Sequence, residues 1–91
     1  MNIISIDAST HSSGLAIYKH NKLISYDCIT SASSDLFNRI KVMVDGIKRI
    51  LTENPDIQYL ILEEVRQGGL MNVKTYKALM YLQGCICMMV R

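Results

Sequence analysis

The chain has 91 residues, 49% of them hydrophobic and 20% charged, with a net charge of +2 at pH 7. That length supports one domain, residues 1–91, with a single core, and no apolar run approaches the roughly 18 residues a membrane span requires. A charge this small does not by itself call for nucleic acid.

The opening "MNIISID" lacks the basic region, apolar stretch and cleavage site of a secretory signal, so a cytoplasmic location is expected. Cys28, Cys85 and Cys87 are an odd set, and the last two are too close on a helix to bridge. Free thiols filling the core of a protein in a reducing compartment are the expectation. With His11 and His20 they do not make the four-ligand spacing of a zinc site.

Residues 2–7 are isoleucine-rich and read as a strand, which ends on Asp7. A hydroxyl-rich turn and Gly14 follow, then two more strands over 14–19 and 22–29, joined by a tight hairpin at His20 and Asn21. "TSASS" at 30–34 is a polar loop, with a serine near its end placed to cap a helix that starts near Asp35. On that helix Leu36, Ile40, Met43, Val44, Ile47, Ile50 and Leu51 recur at three- and four-residue steps, which makes one face core. Asn54 and Pro55 stop it, because proline lacks a donor and disfavours helical geometry in the residue before it.

"YLILEEV" at 59–65 does not alternate, which predicts a central, parallel strand covered on both faces. "RQGGLMN" at 66–72 is a glycine-containing loop whose Asn72 opens a second helix to the C-terminus. There Thr75, Ala78, Leu79, Leu82, Ile86, Met89 and Val90 share one face, while Lys74, Lys77, Tyr81, Gly84 and Arg91 share the other. The methionines of this helix read as adaptable packing. The order is β-β-β-α-β-α.

A right-handed crossover through the first helix sets the strand at 59–65 beside the first strand. The carboxylates of Asp7 and Glu63 then stand at adjacent carboxyl ends, where open sheets hold ligands. Two such groups repel unless a cation intervenes, and a hard divalent ion prefers oxygen donors. Asp7 is thus a candidate metal ligand. The alternative is a turn cap, with its carboxylate accepting backbone bonds from Ser9 or Thr10. Glu63 is equally readable as a solvated strand end, with Glu64 as the functional carboxylate.

The segment "IISIDASTHSSGLAIY", the hairpin, the amphipathic helix, "NPDIQYLILEEV" and the helix opening near Asn72 together resemble the RuvC-type Holliday-junction resolvases of the RNase H-like superfamily. The resemblance spans essentially the whole chain. It implies an α/β fold, an RNase H-like mixed sheet without the usual last strand and C-terminal helix, the domain being truncated at its C-terminal side. The implied activity is a metal-dependent, structure-selective endonuclease that resolves branched DNA by hydrolysing phosphodiesters with two divalent ions about 4 Å apart.

By the same resemblance, Asp7 matches the first-strand aspartate that bridges both metals, and Glu63 matches the glutamate of the later strand. Glu64 then becomes a neighbour, since adjacent strand residues face opposite sides. The remaining family ligands lie beyond a fifth strand and have no counterpart, so Mg²⁺ or Mn²⁺ is expected to be weakly held and the chain inactive alone. Arg66 occupies the place where resolvases carry an aromatic residue. With both helices on one side of the sheet, the other side is expected to be uncovered and apolar, which suggests a homodimer or higher oligomer. Arg66, Lys74, Lys77 and Tyr81 are the candidates for contact with DNA phosphates, against the reading of an ordinary solvated helix face. Two other functions compete: a non-catalytic, nuclease-derived DNA-binding or assembly module, and an ATP-binding fragment akin to actin and sugar kinases, which begin with a similar aspartate and phosphate turn.

Overall fold

The computed structural model describes residues 1–62 and 73–89. They form strands β1 (Asn2–Asp7), β2 (Ser12–Lys19) and β3 (Lys22–Thr30), helix α1 (Leu36–Glu53), strand β4 (Tyr59–Leu62) and helix α2 (Val73–Met89). The sheet order is β3-β2-β1-β4, with β1 antiparallel to β2 and parallel to β4. A mixed α/β sheet with this connectivity is the architecture the sequence predicts.

The β2–β3 hairpin turns through His20 and Asn21, both at positive φ, 54° and 63°. Two left-handed residues in a row match the right-handed twist of the strands they join. Partners shift from Ile17↔Ser25 to Tyr18↔Leu23, so Ile24 is the extra residue of a bulge.

Helix α1 is capped by Asp35, whose carboxylate accepts a hydrogen bond from the Asn38 N–H at 3.2 Å. The expected serine cap is displaced one step back: Ser33 Oγ instead accepts from the Asp35 N–H. Asn54 ends the helix as predicted, its side-chain amide donating to the Ile50 carbonyl at 2.8 Å. Ile40, Met43, Ile47 and Ile50 of α1, with Leu82 and Ile86 of α2, bury against Ile4, Ile6, Leu15, Ile17 and Ile29 of the sheet. Both helices therefore cover one side.

At the opposite end from Asp7, a polar latch joins β1, β2 and the loop before β4. Lys19 Nζ lies 2.8 Å from the Asp56 carboxylate, and Asn2 Nδ2 donates to the Asp56 carbonyl at 3.1 Å. The backbone of Gln58 donates to the Asn2 carbonyl at 2.9 Å, fixing where β4 begins.

Two expectations change. The strand at 59–65 is described over Tyr59–Leu62, where it alternates, Leu60 and Leu62 packing on the core while Tyr59 and Ile61 are exposed. Among the described residues it is an edge strand, covered on one face. The cysteines are free but exposed, because Cys28 faces the open side of the sheet and Cys85 and Cys87 flank the buried Ile86.

Candidate functional site

The candidate site is built on the C-terminal end of β1. Inward-facing Ile4 and Ile6 fix the strand's orientation, so alternation sends Ile3, Ser5 and Asp7 to the side opposite the helices. Asp7 is exposed, and its cross-strand partner is Gly14, which in turn pairs with Cys28. These three form the last row of the open face that β1 shares with β2 and β3.

The turn after Asp7 is held by serines. Ser13 Oγ donates to the Ser9 carbonyl at 2.7 Å and accepts from the Ser9 N–H at 3.0 Å, and Ser13 is fully buried. The His11 N–H reaches Ser9 Oγ at 3.4 Å. These bonds replace the turn cap considered for Asp7, whose carboxylate makes no hydrogen bond or ion pair among the described residues. A carboxylate held at a strand end without a partner among the described residues is a suitable oxygen donor for a hard cation.

One such donor is insufficient by itself, and no cluster of three metal-ligating side chains occurs among the described residues. β1 and β4 are paired as far as Ile6↔Leu62. Asp7 and Glu63 are the next residue of each strand in sequence. Glu63 and Arg66 lie outside the described residues, as does Asn72, the expected opening of the second helix. Lys74 lies on α2, and nothing in the described structure bears on its side chain.

Lys77 and Tyr81 are exposed on α2, one turn apart. Tyr81 also lines a groove between α1 and α2 with Phe37, Val44, Lys48, Met80 and Met88. Its ring therefore borders an apolar channel as well as solvent. Sequence reasoning gave no role to Tyr26 of β3, whose ring crosses the open face to Gly14. Only the pairing register brings the two together.

No described helix is long and apolar enough to cross a membrane. No protein-family model matches the sequence, and the search of curated proteins found no match. Among solved structures the chain is similar to Thermus thermophilus RuvC in complex with a Holliday-junction substrate, with a TM-score of 0.81 and 13% identity over 99% of this chain. It is also similar to T. thermophilus RuvC in another structure, with a TM-score of 0.75 and the same 13% identity. The chain spans 57% of the length of each of those chains. The protein has the RuvC-like, RNase H-like fold that its sequence led one to expect.

Proposed function

We propose that the chain carries part of the active site of a metal-dependent endonuclease acting on branched DNA. Asp7 and Glu63 are its metal-binding carboxylates, and Arg66, Lys74, Lys77 and Tyr81 are the residues that contact the DNA backbone. The observation that carries this reading is the Asp7 carboxylate at the carboxyl end of β1, which has no hydrogen-bond or ion-pair partner among the described residues, beside a parallel strand that leads in sequence directly into Glu63. The RuvC-like fold supports it, since one of the similar structures holds a Holliday junction.

In this reading a bound Mg²⁺ or Mn²⁺ supplies a nucleophilic water at neutral pH and charge stabilisation for the leaving oxygen. Asp7 contributes a fixed negative charge that needs no rearrangement to bind, because the serine-held turn satisfies its own backbone. Lys77 and Tyr81 contribute backbone contacts without base specificity.

The test is binding of a labelled four-way junction and of Mn²⁺ by the 91-residue chain. Because the chain carries only part of the site, junction binding with little or no cleavage is expected, and Asp7→Asn or Glu63→Gln should each weaken the Mn²⁺ binding read by calorimetry. Junction binding with Mn²⁺ binding that neither substitution changes would replace the enzyme by a binding module. Absence of binding would remove the DNA reading altogether.

A further inference from the structure

The open face of the sheet places a phenol beside Asp7. Tyr26 pairs directly with Ala16, but its side chain runs diagonally toward the next row and ends over Gly14. A methyl group built on Gly14 would meet the Tyr26 hydroxyl oxygen at 2.5 Å and the carbon bearing it at 3.3 Å. Any other side chain at position 14 would displace the ring. Gly14 is the cross-strand neighbour of Asp7, so the hydroxyl lies in the row that the carboxylate shares. No described residue hydrogen-bonds to that hydroxyl, and Tyr26 is 68% exposed.

We propose that Tyr26 is a phosphate-binding residue of the Asp7 site, its hydroxyl donating a hydrogen bond to a non-bridging oxygen of the DNA phosphate bound there. This inference rests on the endonuclease reading above. A phenol on a two-torsion side chain, its hydroxyl end resting against a glycine, is an already positioned donor that loses little freedom on binding. A group of this kind acts on phosphate oxygens and not on base edges, so its contribution is independent of sequence.

The competing role is packing, since an aromatic ring over a strand glycine supports the strand by covering bare backbone. Tyr26→Phe separates the two, because it keeps the ring and removes the donor. The measurement is binding of a fluorescent four-way junction in Ca²⁺, with the unfolding midpoint recorded in parallel. Tyr26→Phe should weaken binding about tenfold, the effect of losing one hydrogen bond to a charged acceptor, without moving the midpoint.

Methylphosphonates placed singly at the phosphates flanking the branch point supply the partner change. At the phosphate whose neutralisation weakens the unaltered protein most, Tyr26→Phe should cause no further loss. Equal binding by Tyr26→Phe and the unaltered protein, while Asp7→Asn still weakens Mn²⁺ binding, overturns the role of Tyr26 alone. If the unaltered chain binds no junction, both readings fall.

Discussion

The two faces of the sheet are made by alternate residues of the same strands, yet they have opposite characters. Ile4, Ile6, Leu15 and Ile17 on the helix side are at most 4% exposed, whereas Tyr18, Leu23, Tyr26, Tyr59 and Ile61 across the sheet are 38–68% exposed. The helix side holds the fold through a continuous aliphatic core. The open side carries Asp7, Gly14 and Tyr26, the groups on which the proposals above rest. Burying Asp7 among isoleucines would carry a heavy desolvation cost, so the strand's alternation puts the aliphatic core on one face and the carboxylate on the other.

The sharpest way to break that contrast is to truncate one isoleucine on each face. Ile4→Ala empties a site of full burial and should cost about 2–5 kcal/mol in chemical denaturation. Ile61→Ala, on the paired strand but facing outward, should cost less than about 1 kcal/mol. Comparable losses at the two positions would mean that the open face is covered in solution, by a second copy or another partner.

The helix-side architecture was legible because its signals are local. β-branched runs mark β1, an asparagine-containing turn tolerates the left-handed backbone of the hairpin, and a clean three-to-four spacing marks α1. Asp7 stood out because a carboxylate ended an isoleucine strand. The open face was harder to read. An unbroken apolar run such as "YLIL" looks the same whether it is covered on one side or two, so the run by itself suggested cover on both faces, whereas the placement of both helices on one side predicted the open apolar face on which Tyr59 and Ile61 lie. On α2, Met80, Tyr81 and Met88 are exposed while Leu82 and Ile86 are buried, and apolar residues on every side hid which way the cysteines point. The approach of Tyr26 to Gly14 depends on a cross-strand diagonal, which no spacing along the chain encodes.

A smaller effect separates the inner and outer sides of the helical layer. A methyl group at Gly46 of α1 would lie 2.5 Å from Ile29 Cδ1 and 3.0 Å from its Cγ1, so helix and β3 pack directly through that glycine. Gly46→Ala gains about 1 kcal/mol of helix propensity and loses about 1–3 kcal/mol to overpacking, for a net destabilisation. Gly84 of α2 has nothing within 4 Å of such a methyl group, and Gly84→Ala should raise stability by up to about 1 kcal/mol. Thermal melts of the two variants should move in opposite directions. A loss at Gly84 would show that the groove between the helices is occupied in solution.

The smallest expected change lies at the polar latch, far from Asp7. The hydrogen bond donated by the Lys19 ammonium holds the Asp56 carboxyl below its ordinary value, against a weaker opposing effect of desolvation. A carboxyl whose pKa is lower in the folded state stabilises the fold while ionised in both states, above the unfolded value of about 3.9. That contribution is lost as pH falls through the depressed folded value. The pair is partly solvated, which keeps its contribution small. Asp56→Asn should therefore lower stability slightly near neutrality and flatten the acid limb of the stability profile, with no change in junction binding. An acid limb unchanged by Asp56→Asn would show that the Lys19–Asp56 pair adds nothing to the stability of the fold.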